Sequence, residues 1–226
     1  MALNAQQLLE RFAVYGRFYE KQIAGIDEQL RDRLEIAPVQ WDLQDVVARE
    51  PDLLVVMMNP GASKPLAALW QGQGAPDFVP TQPDRTQYQI MQLLLAAQRL
   101  GLNWQHARVL NLSDLRTPKS SVFAEKLDRY SDDDSHSLFS PVRSAECRRL
   151  FATKATPVLC AWGLNPQFEK LAKWALDAAK GHAVFGLTTD GLAYRHPLPQ
   201  RFDMQLEWLR QLEVQLQKIK SAPSVT

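Results

Sequence analysis

The chain has 226 residues, of which 46% are hydrophobic and 23% charged, with a formal net charge of +1. These values fit a single domain with a sizeable core and exclude disordered and fibrous classes. The flat charge balance gives no global basic field for nucleic acid, although 26 Lys and Arg side chains can still cluster on one face.

Cys147 and Cys160 are the only cysteines, and neither lies in a CxxC or Cys/His spacing. A disulfide scaffold and a metal site are therefore not expected. Residues 1–10 lack a basic stretch followed by an apolar one, and no apolar run approaches the roughly 20 residues of a membrane span. The expectation is a cytoplasmic protein with no membrane partner, no metal and no cofactor; nothing in the pattern fixes an oligomeric state.

Residues 1–50 read as a helical extension packed on the core. Leu8, Phe12, Tyr15 and Tyr19 recur at three- and four-residue spacing, which places them on one helical face. Pro38 interrupts this region. Residues 51–220 then read as one α/β domain, opening with a strand over Leu53–Met58 that is apolar on both faces and so suits burial between helices. Asn59-Pro60-Gly61 follows at the strand end. Residues 61–85, rich in Gly and Pro, read as a long loop, either covering a substrate or simply lying on the surface.

A helix begins near Asp84 or Thr86, carries Ile90, Leu93, Leu94 and Ala97 on its apolar face, and ends at Gly101. A second strand covers Ala107–Leu112. Residues 116–140 read as polar and irregular. A helix near Ser144–Ala152 precedes a third strand, Val158–Trp162, broken by Gly163. A helix over Pro166–Ala179 leads to a fourth strand, His182–Leu187, and to the turn signal Thr189-Asp190-Gly191. Tyr194–Pro199 and an amphipathic helix over Arg201–Lys220 close the domain, and 221–226 read as a frayed tail. Strands alternating with helices predict a three-layer α/β/α fold with a four-stranded, mainly parallel central sheet.

Parallel sheets bind ligands at the carboxyl ends of their strands. That rule selects four places. After the first strand, Asn59 can orient a water or bond a ligand carbonyl, or serve only as a turn former. Pro60 and Gly61 fix the loop, and the amides from Gly61 to Ser63 can form a small anion site. Asn111, at the end of a buried strand, needs partners for its amide; a nucleobase edge or neighbouring backbone would supply them. Arg116 suits either a pair with Asp114 or a phosphate. Trp162 stacks a base or packs under a helix. His196, held by Pro197 and Pro199 and flanked by Arg195, suits donation to a developing oxyanion or acid–base chemistry, or is simply a loop histidine, the more common case for a histidine taken alone. His106, His136 and His182 share no metal-ligand spacing, and no phosphate-binding Gly-rich motif or hydrolase signature occurs.

The order of these pieces resembles a bacterial and phage family of unknown function, catalogued as DUF sixteen-forty-three. Asn59-Pro60-Gly61, Asp84-Arg85-Thr86, Val109–Pro118, Ala161-Trp162-Gly163 and Gly186–Leu198 carry the likeness. Gly61 and Arg85 stand where that family has Ser and Pro. More remotely, the order is similar to that of the uracil-DNA glycosylase superfamily. That resemblance implies cleavage of an N-glycosidic bond of a modified base in DNA or a nucleotide. Asn59 would hold the hydrolytic water, Asn111 would read the base, and His196 would stabilise the leaving base. Two alternatives stand beside it: a non-catalytic nucleotide- or nucleobase-binding module, and a protein-interaction module on the same scaffold.

Overall fold

The computed structural model describes residues 3–66 and 77–221. A short helix, α1 (Ala5–Leu9), is capped by Asn4 and leads into two long strands, β1 (Phe12–Ile23) and β2 (Ile26–Pro38). The expected N-terminal helices are thus replaced by an antiparallel hairpin. Phe12, Val14 and Phe18 alternate at the two-residue strand period, and side chains between them are less buried. Phe12, Tyr15 and Tyr19 fit the helical period only: in the strand Phe12 enters one core and Tyr19 packs against the other, and β-branched and aromatic content favours the strand. Ala24 and Gly25 close the hairpin with φ of 48° and 78°, the two-residue turn whose twist suits strand pairing.

A helix α2 (Leu43–Ala48) precedes β3 (Leu53–Met57). The expected loop over 61–85 contains two strands, β4 (Lys64–Pro65) and β5 (Asp77–Gln82); residues 67–76 of that loop lie outside the described residues. Then come α3 (Arg85–Arg99), β6 (Ala107–Asn111) and α4 (Ser120–Arg129). This last helix occupies a stretch expected to be irregular. The chain continues through α5 (Ser144–Leu150), β7 (Val158–Ala161), α6 (Glu169–Ala178), β8 (Val184–Phe185) and α7 (Phe202–Ser221). Residues 222–226, expected as a frayed tail, lie outside the described residues.

The sheet is mixed and eight-stranded, in the order β4-β5-β1-β2-β6-β3-β7-β8. A central sheet of four strands is therefore too small an expectation. The four strands read from the sequence, β6, β3, β7 and β8, pair in parallel. The hairpin joins them through β2, which runs antiparallel to β6, and β5 joins β1 antiparallel. The sequence-based expectation stops short because it reads the hairpin and β5 as helix and loop.

Helices cover both faces. Leu53, Val55 and Met57 of β3 pack in one core with Leu94 of α3 and Leu212 of α7. Leu54 and Val56 point the other way, into a core with Phe123 of α4 and Leu171 of α6. This alternation on a strand buried at every position is the mark of a sheet sandwiched between helical layers.

Two buried polar groups tie the hairpin to the parallel strands. Glu35 of β2 bonds Nε2 of His106 and accepts from Nε of Arg108, both at 2.7 Å. Burial alone would raise the Glu35 carboxyl, but these two partners more than offset it and hold its pKa below the ordinary value. Farther along, Arg17 and Arg143 contact Asp32, Glu146 and Asp114. No described helix is long and apolar enough to cross a membrane.

Candidate functional site

A cavity of about 620 Å³ opens at the carboxyl ends of β3 and β7. Met57, Met58, Asn59, Gly61 and Ala62 line it from β3, and Trp162 to Asn165 line it from β7. His196 and Leu198 contribute from the loop before α7, Asp84 to Gln87 from the start of α3, and Arg31 from the hairpin. Asn59, Gly61, Trp162 and His196, all singled out from the sequence, therefore share one wall system. Pro60, Ser63, Asn111, Arg116 and Arg195 do not line it.

Asn59 is buried and its orientation is fixed by chemistry. Its Nδ2 lies 3.0 Å from the Thr117 carbonyl, 3.2 Å from that of Leu115 and 3.3 Å from that of Pro60. Three acceptors at one end require the NH₂ there, leaving Oδ1 as an acceptor with no protein partner among the described residues. The Thr117 amide also donates to the Pro60 carbonyl at 3.2 Å, so the Asn59-Pro60 turn is stapled to the loop after β6. Pro60 acts within this staple. Gly61 makes room for Asp84: a Cβ at Gly61 would stand 2.9 Å from Asp84 Oδ2.

Asp84 caps α3. Its Oδ1 accepts from the amides of Thr86 at 2.8 Å and Gln87 at 3.4 Å. Among the side chains that line the cavity it is the single carboxylate, in company with the guanidinium groups of Arg31 and Arg85.

His196 is held by its surroundings rather than by its own prolines alone. The Trp162 indole donates to the Leu192 carbonyl at 3.0 Å, and the Gly163 amide donates to the Tyr194 carbonyl at 2.7 Å. Gly163 has φ of 100°, a left-handed conformation that glycine supplies without strain. Trp208 of α7 donates to the Arg195 carbonyl at 3.2 Å, and Gln205 to that of Pro199 at 2.8 Å. Thr188 and Asp190 satisfy the amides of the preceding turn. Within this frame the Leu198 amide donates to Nδ1 of His196 at 3.1 Å. Nδ1 is then the acceptor nitrogen, and the proton of the neutral ring sits on Nε2. Burial lowers the pKa of His196 from 6.5 against the opposing pull of Asp84, so the ring is neutral at pH 7.

The other residues singled out from the sequence have structural placements. Trp162 touches the cavity but is 1% exposed and packs edge-on against Tyr194, with ring centroids 5.0 Å apart. Ser63 is buried; its hydroxyl accepts from Nη1 of Arg31 and its carbonyl accepts from Nη2 of Arg116 at 3.0 Å. Arg116 also donates to Gln29 at 3.0 Å and lies over the Phe18 ring, while Asp114 pairs with Arg143. Arg195 lines a neighbouring apolar cavity of about 390 Å³, which shares Gly163, Leu164 and His196 with the first. Asn111 pairs in register with Met57, yet its own Nδ2 and Oδ1 are buried without partners.

Sequence reasoning missed Arg31 and underused Asp84. Arg31 comes from a segment read as helix. The register shift in the hairpin sets Arg17 opposite Arg33 and Phe18 opposite Arg31, so Asp32 is the extra residue of a β-bulge. The bulge reverses the facing of β2: Leu30 and Leu34 share sequence parity but enter opposite cores. The available signal was the polar run Arg31-Asp32-Arg33 inside an otherwise alternating strand. No group of three or more His, Cys, Asp or Glu suited to a metal ion occurs among the described residues.

Comparison with family models, with curated proteins and with solved structures returns no match for this chain.

Proposed function

We propose that this cavity binds a nucleobase attached to a sugar, in a nucleotide or in nucleic acid, and that the protein hydrolyses the N-glycosidic bond. One observation carries the reading: Asn59 Oδ1, a free acceptor, and neutral His196, a fixed Nε2–H donor, line the same cavity at the ends of the parallel strands. Their order in the chain, with Trp162-Gly163 between them, is also that of the glycosylase superfamily described above.

In this mechanism the C1′–N bond breaks and its electron pair leaves with the base. The Nε2–H of His196 donates to the oxygen on which that charge gathers. A neutral donor suits this step because it stabilises the anion without first losing a proton to solvent. Water held by Asn59 Oδ1 adds to C1′. Its proton passes to Asp84, the carboxylate of the cavity lining. Asn59 positions the water and takes no proton, since an amide is not a base at neutral pH.

A second reading, a binding module without turnover, draws on the same contacts, because Asn59 spends its whole NH₂ on holding two loops together. Incubation with nucleotides and with single- and double-stranded DNA carrying uracil and other altered bases separates the two. Free base and an abasic product in the mass spectrum support hydrolysis. Saturable binding with no free base across the panel supports the module and defeats the enzyme reading.

A further inference from the structure

The cavity holds a cation that the glycosidic chemistry leaves unused. Arg31 lines the cavity and is 1% exposed as a residue. Among the described residues it forms no ion pair: Nη1 donates to the Ser63 hydroxyl and Nε is buried with no partner. A buried guanidinium without a counter-ion is an unfavourable arrangement unless a ligand completes it. Burial lowers its pKa to about 10, which still leaves the group charged at pH 7.

The surroundings fix this guanidinium in place. Arg116, bonded to Gln29, clamps the Ser63 carbonyl, and Ser63 in turn receives Arg31. The bulge at Asp32 sends Arg31 toward the cavity side of the sheet. Asp84, the carboxylate that acts most strongly on Arg31, stands outside ion-pair distance and uses one oxygen to cap α3. With Arg31, Arg85 and Asp84 as its charged side chains, the lining carries one net positive charge while His196 is neutral.

We propose that the cavity takes a free mononucleotide and that Arg31 receives its terminal phosphate monoester. The proposal rests on the glycosidic reading above for the base end of the ligand. A guanidinium fork matches the oxygens of a phosphate, and a volume of about 620 Å³ is in the range of small-ligand sites. Depth decides between monomer and polymer. A phosphodiester carries a sugar on each side and runs along a surface groove, where partly exposed cations meet it. A guanidinium this deeply buried is reached by a terminal group that enters end-on.

Binding, read by calorimetry, tests this without reliance on turnover. The probes are the common deoxynucleoside 5′-monophosphates and deoxyuridine 5′-monophosphate, their parent nucleosides, inorganic phosphate, and a single-stranded oligonucleotide lacking terminal phosphates. In the wild type at least one monophosphate should bind about 10–100-fold more tightly than its nucleoside, the gain expected of charge-assisted hydrogen bonds. Arg31→Gln should abolish that ratio. Because Arg31 is buried and its replacement can impair folding, Asp84→Asn gives an independent reading. Asparagine also caps helices, so this variant removes a negative charge from the cavity while keeping the cap, and phosphate and monophosphates should bind more tightly to it. Equal affinity for nucleoside and monophosphate, tighter binding of the oligonucleotide, or binding of no probe would overturn the proposal. Failure of the glycosidic reading looks different: an Arg31-dependent preference for monophosphates with no base ever released.

Discussion

Residues at the cavity divide into those that present a polar atom and those that hold the presenters. His196 presents Nε2–H because the Leu198 amide has claimed Nδ1. Its pKa lies below 6.5 because it is buried, so the competent neutral form dominates above that value and declines as pH falls through the lowered pKa. Base release is accordingly expected to be level from pH 7 upward and to fall on acidification through the lowered pKa of His196, below 6.5. A pH–rate profile under saturating substrate measures this, and a rate that rises on acidification would assign His196 the opposite protonation state. Asn111 makes a different point. Its amide is buried with both polar atoms unpartnered, on the strand beside Met57, and it does not line the cavity. Leaving such a group bare costs about 1–3 kcal/mol, so Asn111→Leu should raise stability by a comparable amount in urea unfolding. Loss of stability would show that the amide has a partner in solution, such as an ordered water. At this scale the sequence points to two residues that line the cavity, Asn59 just after β3 and His196 in the Pro-rich loop before α7. It shows Asp84 as a helix cap but not as part of the cavity lining, and it does not show Arg31, which a bulge places beside distant loops.

Elements explain which parts of the fold could be read in advance. The four parallel strands are short apolar runs bounded by Gly, Pro and Asn, and each was located within a few residues. The helix α3 was located from its face and from Asp84, which forms a full capping box with Gln87. The hairpin of β1 and β2 is hidden because Leu8, Phe12, Tyr15 and Tyr19 mimic one face of a helix although Phe12 and Tyr19 lie on opposite faces of the strand, and because its turn, Ala24-Gly25, is an imperfect version of the usual sequence. Ala24 adopts φ of 48°, which an L-residue with a Cβ tolerates poorly. Ala24→Gly is therefore expected to relieve about 1 kcal/mol of strain and raise the melting temperature. A fall in stability would mean that the lost chain entropy of glycine outweighs the relief. Such a hairpin matters beyond the sheet edge: Arg31 reaches the cavity because the hairpin is bulged there, so an element invisible in the helical reading supplies a wall of the site.

Across the whole molecule, two buried charge clusters join the hairpin to the α/β part. One is Glu35 with His106 and Arg108. In the other, two guanidinium groups, of Arg17 and Arg143, contact three carboxylates, of Asp32, Asp114 and Glu146. Arg31 and Arg33 add positive charge at longer range. Asp114 lies at the centre with Oδ1 bare and Oδ2 bonded by Arg143 and Tyr19. Burial, aided by the Asp32 charge, pushes its pKa up to about 7 against the pull of Arg143. A folded-state pKa raised above the unfolded value of 3.8 means that the folded protein holds the extra proton. This contribution to stability is fully present below the unfolded value and is lost as pH rises through the folded one. Wild type should therefore lose stability relative to Asp114→Asn between about pH 4 and pH 7, at up to about 1.4 kcal/mol per pH unit. Parallel unfolding curves of the two proteins across that range would show that Asp114 titrates normally.

The claim on which the site depends is that Asn59 and His196 act on the same bound base. Single-turnover release of free base, followed by mass spectrometry in wild type, Asn59→Ala and His196→Ala, tests it most directly. The account predicts base release by the wild type and a loss of about 10²–10³-fold in His196→Ala, the scale of removing one preorganised donor. Asn59→Ala should also lose rate, while both variants keep their affinity for the ligand within a few-fold. Release that is unchanged in His196→Ala, or absent from the wild type on every substrate of the panel, would contradict it.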